Sequence, residues 1–318
     1  MNIRPFEFTD ADYEAVVAIN NRLWPREKST VEEWRYHDEK RNPEFMDEKF
    51  VFELDGKIIG MGGYGQAEWA YDPDKYFIFA NVDIDYQRQG IGTAFYEMVQ
   101  RNLAPRNPKV YASGTDESHP HTMHLLDKLG FENTKRYPNS HVTVADFDPQ
   151  PFVSAFDKIV GNGITIQTVA DLKQRDADWQ ERLYELHWLI IRDVPFTTPP
   201  TKTSFDTFIS GWVDRPGVLF DGWFIAVDEA TGDYVGMTCS WKMMGDAEKL
   251  MTSVTGVTRE RRRQGIATAL KLRGIEYAKA YGARILETQN EENNPMYDLN
   301  MALGFVPQPA WLDYEKQL

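Results

Sequence analysis

The chain has 318 residues and a formal net charge of −14, with 49 Asp and Glu against 35 Lys and Arg, and this balance argues against general nucleic-acid affinity, which needs clustered basic surface. An apolar content of 42%, with nine Trp, fifteen Tyr and eighteen Phe, excludes disorder, and the length suits two ordinary domains better than one. One cysteine, Cys239, rules out an intramolecular disulfide, and no run has the length and apolarity of a signal peptide or membrane span, so a cytoplasmic protein is expected.

Taken in order, Asn2 to Phe8 reads as a strand, and Thr9-x-x-Asp12 as the capped start of a helix through Asn20 with Tyr13, Val16 and Val17 facing inward. Trp24-Pro25 turns toward a second helix from about Thr30. Phe50 to Leu54 and Ile58 to Gly63 flank Asp55-Gly56, a hairpin signal. Phe77 to Ile84 and Lys109 to Ser113 are further strands, and Phe131 to Arg136 and His141 to Phe147 form a closing pair around Pro138-Asn139-Ser140. Asp148-Pro149-Gln150-Pro151 has the composition of a linker, which predicts domains over 1–148 and 152–318.

In the second half Ile164 to Val169 reads as a strand, and Asp171 to Ile191 as one helix on which Trp179, Leu183, Leu186 and Ile190 recur at helical spacing. Pro195, Pro199 and Pro200 interrupt before a helix near Ser204 to Trp212. Trp223 to Asp228 and Tyr234 to Trp241 flank Thr231-Gly232-Asp233 as a second hairpin, with Cys239 a buried strand thiol. Met251 to Val257 and Arg284 to Thr288 are strands, Pro295 to Leu303 is a helix, and a final pair ends in Trp311 to Tyr314.

Between Val257 and an apolar helical stripe lies Arg262-Arg263-Gln264-Gly265-Ile266-Ala267-Thr268-Ala269. Helix N-termini carry N–H groups without intrahelical partners and favour negative charge, while Gly265 and Ala267 allow a phosphate close to the backbone. The stretch therefore reads as an anion cradle. An earlier copy, Gln87-Arg88-Gln89-Gly90-Ile91-Gly92-Thr93-Ala94, precedes it by 175 positions (265 minus 90), and Leu129-Gly130-Phe131 matches Leu303-Gly304-Phe305 at 174. Two landmarks at nearly one offset mark an internal duplication.

With these motifs the sequence resembles a tandem pair of GNAT-superfamily N-acetyltransferase domains, where Arg/Gln-x-x-Gly-x-Gly/Ala cradles the pyrophosphate of acetyl-coenzyme A. Gln87-x-x-Gly90-x-Gly92 and Arg262-x-x-Gly265-x-Ala267 both fit, as does the later run Thr288-x-Asn290-x-x-x-Asn294-Pro295-Met296-x-x-x-Asn300-x-x-Leu303-Gly304-Phe305. The resemblance implies an α/β (α+β) fold in which each half is a mixed, mostly antiparallel sheet flanked by helices. It implies acetyl-CoA as acyl donor, a small-molecule primary amine as acceptor, and direct transfer without a covalent enzyme intermediate. The pantetheine arm is expected along Val82 to Ile84 and Thr255-Gly256-Val257, with Asn290 and Asn294 as further coenzyme contacts. No metal, membrane or nucleic acid is implied, and the protein is expected as a monomer or homodimer.

Catalytic groups are less clearly marked. Many family members place an acid tyrosine four residues before the Gly-Phe pair, where this chain has Asn300 and Leu126; Tyr297 lies one turn earlier. Glu287 is the candidate for a base acting through water, against the alternative of a solvated strand carboxylate. His119-x-His121-x-x-His124 reads as first-turn helix histidines rather than metal ligands. Since Asp116 and Pro120 stand where the second half has Asn290 and Asn294, the chemistry is expected in the second half and the first reads as degenerate. Trp24, Arg26, Asp193 and Phe196 are acceptor-site candidates by fold analogy. The alternative is a coenzyme-binding or assembly pseudoenzyme.

Overall fold

In the computed structural model, which describes residues 1–318, Thr9 caps the first helix by accepting a hydrogen bond from the Asp12 amide. The chain divides into two units, Met1–Arg136 with Thr197–Thr203 and Pro309–Leu318, and Tyr137–Phe196 with Ser204–Gln308.

In the first unit, β1 (Asn2–Pro5) precedes α1 (Asp10–Leu23) and α2 (Val31–Glu39), the latter capped by Thr30. β2 (Asp47–Leu54) and β3 (Lys57–Gly65) form the expected hairpin, with Asp55 and Gly56 both at positive φ as its tight turn requires. β4 (Lys75–Val82), α3 (Ile91–Leu103), β5 (Val110–Asp116) and α4 (Pro120–Lys128) follow. β1 to β4 pair antiparallel in succession. β4 and β5 are parallel and register only over Lys75–Phe77 and Val110–Ala112, so their later residues diverge. Phe52, Phe95, Val99, Leu103 and Tyr111 form the core between this sheet and α3. The sequence leaves this unit partway along β6 (Glu132–Thr143).

The second unit contains α5 (Ser154–Gly161), β7 (Ile164–Thr168), α6 (Val169–Arg175), α7 (Trp179–Ile191) and α8 (Phe205–Phe208), which runs into a π turn at Ile209–Val213. β8 (Val218–Asp228), β9 (Tyr234–Met243), β10 (Asp246–Val257), α9 (Ile266–Tyr281), β11 (Ile285–Gln289), α10 (Pro295–Ala302) and β12 (Val306–Gln317) complete the chain. β7 to β10 pair antiparallel in succession, and β10 runs parallel to β11 over Lys249–Thr252 and Ile285–Thr288. Trp223, Met237 and Cys239 meet Leu183, Leu186 and Ile190 of α7 in one core cluster. No helix is long and apolar enough to cross a membrane.

Three expectations change. Neither closing pair is a hairpin: β6 and β12 are single strands of 12 residues. In the first unit Trp311–Gln317 of β12 lies antiparallel to β5, and in the second Asn139–Thr143 of β6 lies antiparallel to β11. Asp313 stands opposite Gly114 as Ser140 stands opposite Thr288, and Gly114 and Thr288 are themselves 174 apart, so the same pairing recurs in both units. The long helix of the second half is two, because Asp176 leaves helical geometry to accept hydrogen bonds from Arg182 and Tyr234. The fourth strand ends at Val82; Ile84 lies in a 3₁₀ turn and is 52% exposed, so it offers no strand backbone to a pantetheine arm.

Cys239 is fully buried, and burial pushes its thiol well above the ordinary range. An aromatic disulfide reagent should therefore leave the native thiol unmodified and titrate one thiol per chain after denaturation, read by absorbance; rapid native reaction would contradict this packing.

Candidate functional site

Both basic turns adopt one backbone conformation. Arg88 and Gly90 lie at φ 64° and 82°, and Arg263 and Gly265 at 65° and 85°. A left-handed arginine costs on the order of 1 kcal/mol, so its recurrence marks a shape that the fold holds in both halves. Gln87 Nε2 donates to the Val82 carbonyl at 3.0 Å and Arg262 Nε to that of Val257 at 3.1 Å, each bracing the turn against the strand before it. These side chains, expected as phosphate ligands, thus close the loop.

The helices that follow start without a side-chain cap. α1, α2, α6 and α10 instead have their first amides satisfied by Thr9, Thr30, Thr168 and Asn294. At α3 and α9 the backbone amides of Ile91, Gly92 and Thr93, and of Ile266, Ala267 and Thr268, remain available to an anion.

The turns differ in their surroundings. A Cβ on Gly90 would have nothing within 4 Å, whereas one on Gly265 would lie 3.3 Å from Lys158 Cδ on α5. Arg262 and Arg259 both bind Asp193, with Arg259 Nε at 2.9 Å. Asp193 therefore holds cradle arginines, where the sequence reading had it facing an acceptor. Arg263 is exposed.

Hydrogen bonds from Arg259, then Arg262, hold the Asp193 carboxyl down to about 2. A depressed carboxyl contributes stability above its unfolded value of about 3.9, lost as pH falls through the folded value. The melting temperature of Asp193→Asn should thus lie below that of the wild type at pH 5 and converge with it near pH 2. A difference that persists at pH 2 would mean that the substitution acts by packing.

In the first unit, a cavity of about 330 Å³ opens where β4 and β5 diverge. It touches Gly92 beside the cradle, Tyr96 and Phe95 on α3, Leu126 and Phe131, and on another side Asn20, Trp24, Glu27 and Trp311. The Thr115 hydroxyl on its wall is buried and has no hydrogen-bond partner, a state that costs about 1–3 kcal/mol unless a ligand or water satisfies it. Tyr96 Oη accepts from Lys316 Nζ at 3.1 Å. Of the acceptor candidates, only Trp24 borders this cavity; Trp311 and Glu27 were missed.

The corresponding positions of the second unit bond to one another. Asn300 Nδ2 donates to Asn290 Oδ1 at 2.6 Å, and the Asn294 side chain caps α10 by accepting from the Met296 amide. Thr288 Oγ1 donates to the Thr252 carbonyl. Glu287, expected as a base or a solvated carboxylate, is buried and paired with Lys249 at 3.3 Å. Tyr297 is half-buried in the first turn of α10, and Phe196 is half-buried in the proline-rich loop. Lys271, 175 positions after Tyr96, is fully buried, and desolvation pushes it down to about 7.

Two solved structures share the fold over nearly the whole chain. A tandem GNAT protein from the clavulanic acid biosynthesis pathway aligns with a TM-score of 0.76 at 18% identity, over 99% of this chain and 98% of that one. A GCN5-related N-acetyltransferase from Sphaerobacter thermophilus aligns with a TM-score of 0.68 at 17% identity, over 99% and 95%. No curated protein matches the chain in sequence. The sequence profile of the acetyltransferase (GNAT) family matches residues 13–131 and again 181–305. Each match ends on the phenylalanine of a Gly-Phe pair and together they take in most of the chain, which belongs to the acetyltransferase (GNAT) family through both of its halves.

Proposed function

We propose that the protein is an acetyl-CoA-dependent N-acetyltransferase acting on a primary amine of a small molecule in the cytoplasm, and that its first half carries the transfer. The observation that supports this reading is the cavity of the first unit, which reaches from Gly92 beside an uncapped helix start to Trp24, Glu27 and Trp311. It reverses the division of labour expected from the asparagine set, because those asparagines bond to each other and to their own helix start.

When bound, acetyl-CoA would supply an activated acetyl thioester. The amides of Ile91, Gly92 and Thr93 would receive its pyrophosphate, and the unpartnered Thr115 hydroxyl supplies a buried hydrogen-bond donor on the cavity wall. Leu126 and Phe131 keep that wall apolar and so limit competing water. Leu126 cannot act as an acid, and transfer without one is tolerable because a thiolate leaves more readily than an alkoxide.

In the second half, the repeated cradle supports coenzyme binding without turnover, with Glu287 and Asn300 as structural groups. Calorimetry and thiol-release assays on the full chain test the assignment. Turnover should fall far more in Gly90→Val than in Gly265→Val, while each variant should lose coenzyme binding at its own cradle. The opposite ranking would return the chemistry to the second half, and binding without turnover for a broad amine panel would favour the pseudoenzyme.

A further inference from the structure

Resting on the reading that the second cradle receives acetyl-CoA, we propose that Lys271 is the acceptor of the acetyl group bound there, so that the second unit acetylates itself once instead of turning over. Lys271 lies on α9, the helix that the cradle begins, five positions past Ile266 (271 minus 266). It is 2% exposed. Lysine is almost never buried so deeply unless paired, yet this amine makes no ion pair or hydrogen bond, and its nitrogen sits over the Phe305 ring at 5.5 Å.

The duplication gives this position its meaning. Lys271 stands 175 positions after Tyr96 (271 minus 96), and Phe305 stands 174 after Phe131 (305 minus 131). In the first unit Tyr96 and Phe131 both border the cavity that opens where β4 and β5 diverge, beside Gly92. β10 and β11 part in the same way, since they pair only over Lys249–Thr252 and Ile285–Thr288 while β10 runs on to Val257. The second unit therefore places a primary amine where the first has a phenol on the wall of its cleft.

Desolvation pushes the Lys271 amine down to about 7, so near neutral pH much of it is uncharged and holds the lone pair of a nucleophile. In the transfer Nζ attacks the thioester carbonyl carbon. The N–C bond forms, the C–S bond breaks with its electron pair on sulfur, and one of the two amine protons passes to that sulfur, so coenzyme A leaves as the thiol. The resulting amide is neutral, which removes the cost of a cation in this core. It keeps one N–H. Asn300 Oδ1 is a buried acceptor without a partner, on the residue whose backbone carbonyl takes the Phe305 amide at 3.0 Å.

The test uses the full chain carrying Gly90→Val, in which the second cradle is the remaining coenzyme site and transfer by the first unit does not obscure the result. Calorimetry with coenzyme A shows whether that cradle is occupied. The chain is then incubated with acetyl-CoA and digested, and the peptides that carry Lys271 and Lys279 are weighed by mass spectrometry. Lys271 should gain one acetyl group in most chains, while Lys279, exposed on the same helix, stays near background. Adding Gly265→Val should cut the labelling of Lys271 on the order of tenfold, because the donor is no longer held beside it. If the double variant fails to fold, excess coenzyme A gives the same readout by competition, lowering the label on Lys271 and not that on Lys279. Labelling of Lys279 equal to that of Lys271 overturns the inference, as does label on Lys271 that ignores both Gly265→Val and competing coenzyme A. So does an unmodified Lys271 in a chain that binds coenzyme A. Absence of coenzyme binding in folded Gly90→Val would instead sink the underlying reading of the second cradle, so the two failures are distinguishable.

Discussion

Coenzyme affinity at the first cradle should fall about 10²-fold or more when Gly90 is replaced by valine, in a protein that remains folded. Gly90 has φ 82° and ψ 3° at the start of α3. A β-branched residue there resists the left-handed conformation at a cost on the order of 1–2 kcal/mol, well below the roughly 5–15 kcal/mol that stabilises a domain. No protein atom lies within 4 Å of the new Cβ, so internal clash is not the cause of the loss. What changes is the approach to the amides of Ile91, Gly92 and Thr93, and a hundredfold loss corresponds to about 2.7 kcal/mol of binding. Calorimetry gives the affinity and circular dichroism the fold. Undiminished affinity in a folded variant would remove the first cradle from the binding site.

The second large effect is on stability. Phe95→Ala should cost about 3–5 kcal/mol, by the lost transfer free energy of a buried ring and the cavity left behind. Phe95 is 1% exposed on α3, with its ring 5.2 Å from that of Phe52 and 6.0 Å from that of Phe50. It also lies against Gly62, where a Cβ would stand 2.7 Å from the ring, so the backbone of β3 rests on it and cannot easily collapse inward. The thermal unfolding midpoint of the first unit should be lowered by about 6–20 °C, given roughly 2–4 °C per kcal/mol for units of this size. Phe95→Leu, which keeps most of the volume, should cost less than half as much. A near-neutral Phe95→Ala would mean that α3 is not packed as described.

The parts of the fold that could be read from the sequence are those fixed by neighbours in the chain. Asp55-Gly56 and Gly232 demand left-handed turns, Thr9 and Thr30 cap the helices that follow them, and the two cradles declare themselves by repetition. What could not be read is decided by residues far away. Pro138-Asn139-Ser140 has the composition of a turn, yet Asn139 and Ser140 are extended because Gln289 and Thr288 stand opposite them. Distant pairing overrode local preference. The candidate site divides in the same way. Its cradle is a contiguous motif, whereas Trp311 meets Gly114 and Trp24 only because β12 pairs with β5, and no spacing in the sequence announces that contact. The asparagines of the second half had suitable chemistry for a ligand, but Asn300 spends its amide group on Asn290, leaving its own buried oxygen without a partner.

The membership of Pro309–Leu318 in the first unit bears on how the protein is made. Chains emerge from the ribosome at roughly 5–20 residues per second and usually fold from the N-terminus as they appear. Here residues 1–136 are synthesised first, yet the strand that lies along β5 begins its pairing only at Trp311, 175 positions later (311 minus 136). For on the order of ten seconds or more the nascent first unit waits with the unpaired edge of β5 exposed, the kind of edge that templates unwanted strand addition. A stop codon before Trp311 would delete the partner of β5 and, with Trp311, a wall of the first unit's cavity. Completion of the earliest-made half, and of the chemistry proposed for it, therefore waits on synthesis of the whole second unit.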